Sequence, residues 1–350
     1  MTSDTTSPTA SQEHALHKRL TAGGHYTPRG AGLRQIGNAA AIIALEDFAQ
    51  VVAYHPADLT VTIGSGMRLS SLHALLSESR QWFPLRAPDG GDDTVGGAVS
   101  TALDGYFRGG YGPLRDRILG LRVVTPTFGP IAVGARVVKN VAGYNLARLF
   151  TGIRGALGII TEVTLKVSPL PRMRRLWRWT LNSTEIPAHV AHLLQLGHPW
   201  ATVLIISENR SFALYAEWHG TEAMAHFLDQ TLGPSADTEI PPMGQESATL
   251  VQGAIPKQYL GSLLAGWPSN ELMVEWQSGW FFGTISDVEA AAAFNQWVHS
   301  VSGSLRALRQ PLNAPPLRES LSAREQILWN TAKNRYDPDH VLPDFWGGHA

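Results

Sequence analysis

Cysteine is absent from all 350 residues. That removes disulfides, thiolate metal sites and iron–sulfur ligation from the chain, so any electron relay of that kind belongs to another protein. Charge of one sign is also missing: 28 Lys and Arg stand against 29 Asp and Glu, a formal net charge of −1. No basic excess exists to offset phosphates, which excludes nucleic acid as a partner. No apolar run reaches the ~18 residues needed to cross a bilayer. The opening MTSDTTSPTA lacks a basic n-region and an apolar core, so residues 1–10 read as a disordered tail and not a leader. A cytoplasmic protein is expected, reaching the inner membrane face only through partner subunits.

What is present is size, apolar content and glycine. Hydrophobic residues make up 44 % of the chain, and this length accommodates two domains with packed cores. Eleven tryptophans serve core packing first, with interface anchoring as the alternative. Between Pro88 and Pro169, glycines recur at short intervals among β-branched runs such as Leu121–Thr125 and 136–138. Glycine adopts positive φ cheaply and carries no Cβ, so such a stretch lets backbone approach a large, flat, anionic ligand.

Four blocks give this stretch its character. They are DTVGGAV from Asp93, RGGYGPLRD from Arg108, VKNVAGYN from Val138 with its preceding valine, and GALGIITEVTL from Gly155. Their order and spacing resemble the PCMH-type (vanillyl-alcohol-oxidase-type) FAD-binding domain, in the form seen in the FAD-binding subunits (E components) of glycolate oxidases. An earlier segment, Pro28-Arg29-Gly30-Ala31-Gly32-Leu33, is similar to the PRGGG loop that passes under the FAD pyrophosphate in that family. Its glycines can expose backbone N–H groups as an anion nest, although an ordinary turn has the same composition.

The resemblance implies that FAD is held by Pro28, Arg29, Gly30, Ala31, Gly32 and Leu33. It extends the site to Pro88, Asp89, Thr94, Val95, Gly96, Gly97, Ala98 and Gly105, and to Arg108, Gly109, Tyr111, Gly112 and Arg115. Lys139, Asn140, Gly143, Tyr144, Gly158, Ile159 and Ile160 complete it. Members with covalent flavin often carry His after the last loop glycine; Leu33 stands there, so non-covalent FAD is expected. Arg108 and Arg115 either neutralise phosphate or flavin charge or form internal ion pairs such as Arg115–Asp116. Lys139 either faces the flavin ring or faces solvent. No catalytic residue is assigned, and no metal.

One segment imitates a different cofactor site. The strand around Leu59–Ile63, with Gly64-Ser65-Gly66 leading into a helix over Leu69–Ser79, looks like the start of a dinucleotide fingerprint. Leu69 occupies the third glycine position, where tight helix–strand packing needs a small residue, and no acid follows at the ribose distance. Apolar alternation at Leu59, Val61 and Ile63 reads as a half-buried strand.

After Pro169 and Pro171, glycine thins and helical patterns lengthen. A strand over Arg175–Leu181, a helix over Ile186–Leu196, a hairpin over Thr202–Ile206 and Phe212–His219 and a helix over Thr221–Leu232 come first. A strand–helix–strand–strand–helix–strand series then runs from Thr249 to Leu308, which suggests a ferredoxin-like α+β cap. The fold class expected is therefore α+β: a two-subdomain PCMH-type FAD-binding fold (residues 11–170, divided near 87/88), a cap (171–312), and a terminal helix and tail (313–350) that return to the FAD module. The family's NPGR ending is replaced by Leu342-Pro343-Asp344-Phe345.

His189 and His192 share a helix face but have no acidic neighbour to complete a metal site, and no histidine pair with acidic support marks a catalytic vault. The function expected is an FAD-carrying redox subunit of a glycolate oxidase complex, working with a catalytic flavoprotein and an iron–sulfur subunit. A stand-alone dehydrogenase of small 2-hydroxy acids and a structural flavoprotein subunit are the alternatives.

Overall fold

The computed structural model describes residues 9–33, 41–134, 146–208, 211–243, 249–310 and 321–344. The chain begins with α1 (Ala10–Thr21) and a parallel pair, β1 (Tyr26–Arg29) and β2 (Ala41–Ala44). β3 (Val51–His55), β4 (Thr60–Gly64), α2 (Leu69–Ser77) and β5 (Gln81–Trp82) follow. Next come α3 (Val95–Thr101), α4 (Arg108–Tyr111), β6 (Ile118–Thr125), β7 (Gly129–Gly134), α5 (Ala147–Phe150), β8 (Ile159–Lys166) and β9 (Ser168–Pro169). Five of these strands form an antiparallel sheet in the order β3-β4-β8-β6-β7.

Two local expectations change. All five residues of β4 are buried, because β4 lies between β3 and β8 and α2 covers the sheet; alternation alone reads such a strand as half-exposed. Ordered structure also starts inside the expected tail: Thr9 is fully buried and its hydroxyl donates to Glu162 Oε1 at 2.5 Å. Residues 1–8 lie outside the described residues.

The Gly64-Ser65-Gly66 turn has a packing explanation. A Cβ on Gly64 would collide with the Phe48 carbonyl, and one on Gly66 with the Leu45 carbonyl. These glycines let backbone lie on backbone, which is one of glycine's ordinary uses.

The second half contains β10 (Met173–Leu181), α6 (Ile186–Gln195), β11 (Trp200–Glu208), β12 (Ser211–Gly220) and α7 (Glu222–Leu232). It continues with β13 (Thr249–Ala254), α8 (Leu260–Gly266), β14 (Leu272–Glu275), β15 (Trp280–Ile285), α9 (Val288–Ser300) and β16 (Ser304–Arg309). Its strands make one antiparallel sheet, β10-β12-β11-β14-β15-β13-β16. The run from β13 to β16 is a βαββαβ unit with spatial order β14-β15-β13-β16. The run from β10 to α7 repeats the first five elements of such a unit, with order β11-β12-β10. The second strand of each unit meets the other at the centre, where Leu204, Ile205 and Ile206 of β11 pair with Glu275, Val274 and Met273 of β14. The cap sheet is thus two ferredoxin-like units joined edge to edge.

This sheet is buried on both faces. Val203 and Ile205 of β11 enter a core with α6 to α9, while Leu204 and Ile206 join the core beneath the five-stranded sheet. Near-continuous apolar strands follow from that double burial. Finally α10 (Ala323–Tyr336) opens with a capping box, Ser322 and Glu325 bonding each other's backbone N–H. It packs back on the first half: Tyr336 lies 5.4 Å from Phe150 and 5.7 Å from Phe128, ring to ring. Buried Lys333 donates to Asp337 (2.6 Å) and to the Ala156 carbonyl (2.8 Å).

Candidate functional site

Three glycine-bearing segments meet in one open cleft of about 910 Å³, open solvent at its mouth included. The first is the turn after β1, with Pro28, Arg29, Gly30, Ala31, Gly32 and Leu33 on the cleft wall. The second is the start of α3, contributing Thr94, Gly96 and Gly97. The third leads into β8 and brings Ile159 and Ile160. The turns at Gly30–Gly32 and Gly96–Gly97 therefore face the same space.

The fit between these segments depends on missing side chains. A Cβ on Gly30 would run into Thr94 Oγ1, and one on Gly155 into the Pro28 ring. A Cβ on Gly96 would stand 2.5 Å from Ser65 Cβ and 2.8 Å from the Ser65 carbonyl. Thr94 caps α3, its hydroxyl accepting from Gly97 N at 3.1 Å.

The two turns differ in what they offer a ligand. Gly96 N–H is spent on the Ser65 carbonyl (2.7 Å) and Gly97 N–H on Thr94. Nothing among the described residues accepts from the N–H groups of Gly30, Ala31 and Gly32, and Gly32 holds φ at +77°. That arrangement is a nest of open donors suited to phosphate oxygens, with the exposed Arg29 side chain at its edge. Ile42, Leu45, Ile159 and Ile160 give the cleft apolar wall, beside polar Thr27, Asp93, Ser100, Thr101 and Arg154. A flat ring system ending in a pyrophosphate fits this distribution: apolar walls for the rings and unpaired donors for the charge.

Several residues expected at the site lie elsewhere. Val95 and Ala98 point into the core, each 1 % exposed. Pro88 accepts hydrogen bonds from Tyr106 Oη (3.2 Å) and Met243 N (2.7 Å), and Asp89 caps Gly91 N. A Cβ on Gly105 would strike the Arg86 carbonyl, and one on Gly158 would sit 2.6 Å from Val123 Cγ1. Gly109 and Gly110 seat α4 on the cap sheet; Cβ atoms there would hit the Glu275 carboxylate and, at 2.5 Å, the Trp200 carbonyl.

Arg108 pairs with Asp104, as the internal-pair reading has it, and the exposed Arg115 lies 3.9 Å from Asp116. Neither arginine lines the cleft. Gly112, at φ +81°, ends α4. Tyr111 Oη bonds His219 Nδ1 at 2.7 Å, and His219 Nε2 bonds Glu217 at 2.6 Å. Burial pushes Tyr111 up. Burial would raise Glu217 too, but the His219 hydrogen bond and the Arg174 charge outweigh it and hold the carboxyl below its ordinary value. Lys139, Asn140, Gly143 and Tyr144 fall outside the described residues.

The cleft also contains residues the motif reading passed over: Thr27, Ile42, Leu45, Asp93, Ser100, Thr101, Arg154 and Gly155. Gly155 had a signal, since it opens the block GALGII, and it sits at φ +79°; Arg154, just before that block, sits at +53°. Ile42 and Leu45 had none, since apolar residues in a short strand read simply as core.

Comparison with known proteins bears on the same region. Residues 10–129 match the FAD binding domain family. The glycolate oxidase subunit GlcE of Escherichia coli is 37 % identical over 142 residues, 40 % of this chain and 41 % of that protein. The D-lactate dehydrogenase of Anaerostipes hadrus is 37 % identical over 153 residues, 42 % of this chain and 32 % of that one. The glycolate oxidase subunit GlcD of Bacillus subtilis is 29 % identical over a similar stretch, 33 % of its own length. The matched stretches thus cover less than two-thirds of each relative. Among solved structures, alkyldihydroxyacetonephosphate synthase superposes over 94 % of this chain and 74 % of its own with a TM-score of 0.67 at 14 % identity, which establishes a shared fold. The family match covers two of the three segments that build the cleft, the Gly30–Gly32 turn and the start of α3, so residues 10–129 carry an FAD binding domain, and FAD is its cofactor.

Proposed function

We propose that this protein is an FAD-carrying oxidoreductase subunit of the glycolate oxidase type, with its flavin held non-covalently in the cleft. The observation that carries this reading is the meeting of the Gly30–Gly32 nest with α3 and the start of β8 in a single space. Gly30, Ala31 and Gly32 would hold the pyrophosphate through backbone N–H groups, with Arg29 adding charge. Ile42, Leu45, Ile159 and Ile160 would exclude water from the rings. Bound FAD supplies two-electron exchange with a small 2-hydroxy acid. In this reading residues 11–170 form the flavin module, residues 171–312 the cap and residues 313–350 the returning helix and tail.

Absence of cysteine supports an electron exit through an iron–sulfur partner, and the lack of a histidine pair with acidic support favours a separate catalytic flavoprotein. No helix among the described residues is long and apolar enough to cross a membrane, consistent with attachment through partners. The test is the visible spectrum of the purified protein, before and after anaerobic addition of glycolate or D-lactate. A yellow protein that releases its flavin on acid precipitation is expected, with little bleaching by either acid until the partners are added. Rapid bleaching of the isolated chain would instead establish the stand-alone dehydrogenase. A colourless protein that takes up no FAD would overturn both.

A further inference from the structure

Lys333 is a charged side chain that the cleft does not use and that water does not reach. It lies in the last turn of α10 and is 1 % exposed. Its ammonium donates to Asp337 Oδ2 at 2.6 Å and meets three carbonyls, those of Ala156 (2.8 Å), Leu342 (3.0 Å) and Pro343 (3.2 Å). We propose that Lys333 is a positioning residue for the cofactor. With Asp337 it buckles the tail after α10 across the back of the cleft and fixes two of the three cleft walls against each other. The inference rests on the reading that the cleft takes FAD.

Each arm of the buckle ends on a wall. The first arm is the bond to Ala156, which lies between Gly155 and Ile159, both on the cleft. The second arm runs through Asp337, which accepts Val341 N–H and Leu342 N–H, each at 2.9 Å. The Val341 carbonyl accepts Tyr26 N–H at 2.8 Å, and the His340 carbonyl lies 3.0 Å from His25 Nδ1. Tyr26 opens β1, which runs directly into the Gly30–Gly32 turn. Val341 and Leu342 are themselves buried in one core with Leu45 and Ile159, two apolar residues of the cleft wall. The two walls touch where a Cβ on Gly155 would meet the Pro28 ring. The buckle therefore grips both sides of that contact.

The chemistry explains why a lysine stands here. Burying an ammonium is costly, and an apolar side chain would hold a helix against a sheet without that cost. An ammonium, however, carries three N–H donors and can hold carbonyls of separate segments at once. The segments it joins are 177 residues apart at Ala156 and ten apart at Pro343. The tail between them is also constrained: His340 sits at φ +51°, left-handed backbone that a residue other than glycine keeps only where its surroundings impose it. Every partner of the ammonium belongs to the cleft wall, to α10's own end or to the tail, and none to the cap.

The test is the double variant Lys333→Met with Asp337→Asn, which leaves neither charge buried alone. Its FAD dissociation constant, read by fluorescence titration, should rise about tenfold. In the protein freed of flavin, amides of residues 26–33 and 155–160 should exchange hydrogen at least about tenfold faster, with the cap strands unchanged. Val190→Ala, which lowers Tm from the far core of the cap, should leave both readings at wild-type values. Where the double variant fails to fold, Val341→Ala trims only the packing of the tail and should raise the FAD constant about threefold. Wild-type affinity and exchange in the double variant would overturn the inference, as would an equal loss of affinity in Val190→Ala, which would make the effect one of global stability. A wild-type protein that takes up no FAD would overturn the cofactor reading and the positioning role with it, while faster exchange at the two walls would still show the buckle itself.

Discussion

The cleft and the cap sheet are built by opposite means. Around the cleft, shape comes from side chains that are missing: Gly30, Gly96 and Gly155 each sit where a Cβ would strike a neighbouring segment. In the cap, shape comes from bulk, as in the edge-on pair Trp177 and Trp200, whose rings lie 5.9 Å apart. A wall made of glycine is sensitive to added atoms and keeps backbone within reach of a ligand. A wall made of indole is sensitive to lost atoms and offers a ligand little. The difference explains how one chain keeps a binding surface next to a rigid cover.

The largest effect should come from removing bulk in the cap. Trp200 is 1 % exposed, and its indole N–H donates to the Leu193 carbonyl at 3.0 Å. Trp200→Ala should cost about 3–5 kcal/mol through the cavity left behind, measured by denaturant unfolding. FAD bound per folded molecule should stay at the wild-type level; loss of flavin from the folded fraction would show that the two regions are not separable in this way.

Next in size is the ionic cluster that fixes α1 to the five-stranded sheet. Arg122 donates to both oxygens of fully buried Glu13, at 3.0 and 2.5 Å, while Thr161 Oγ1 adds a bond of 2.6 Å and Glu162 lies 3.8 Å away. Arg122→Met leaves two buried carboxylates facing each other without their shared cation, at a cost of about 3–5 kcal/mol. Here the flavin-side module should melt first, so a two-step unfolding curve in the variant is the expected signature. A loss under about 1 kcal/mol would mean that the pair only breaks even against its desolvation.

A smaller change in stability, with a larger one in binding, is expected at the nest. Gly30→Ala pushes Thr94 away from the turn, an overpacking cost of about 1–3 kcal/mol. Its clearest reading is FAD affinity, which should fall at least about tenfold by fluorescence titration. Gly253→Ala in the cap, where a Cβ would strike the Ser304 carbonyl and the Phe281 ring, should lower Tm and leave FAD affinity unchanged. Equal effects of the two on affinity would erase the contrast between the regions.

Sequence alone reveals the elements well and their orientation poorly. The hairpin of β11 and β12, the helices α6 and α7 and the βαββαβ run from β13 are legible because their periods differ and loops separate them. The doubling of that unit is not, since the seam joins β11 to β14, where Leu204 lies opposite Glu275 and Ile206 opposite Met273, strands far apart in sequence that meet only in space. Motif order likewise locates the cleft but not its boundary. Gly30, Gly96, Gly105 and Gly109 look alike in sequence, yet Gly30 and Gly96 line the cleft, Gly105 lies on the Arg86 carbonyl and Gly109 on Glu275. A glycine signals that something comes close; whether that is a ligand or another stretch of backbone is decided by tertiary packing.

Acid titration separates the carboxylates of the cap from one another. Glu217 is held below its ordinary value by His219 and Arg174 against the opposing effect of burial. Its folded value lies under its unfolded one, so its contribution is present above the ordinary glutamate value of about 4.3 and is lost as pH falls through the folded value. Burial raises Glu275 of the cap instead, as it does Asp104 of the flavin module, so protonating them on acidification favours the folded state and works in the opposite direction. In Glu217→Gln only the first contribution disappears. The Tm gap between wild type and variant should therefore be widest above about pH 5 and close as pH falls below about 4. A gap that stays constant down to acid would mean that the Glu217 carboxylate contributes its hydrogen bonds and not its charge.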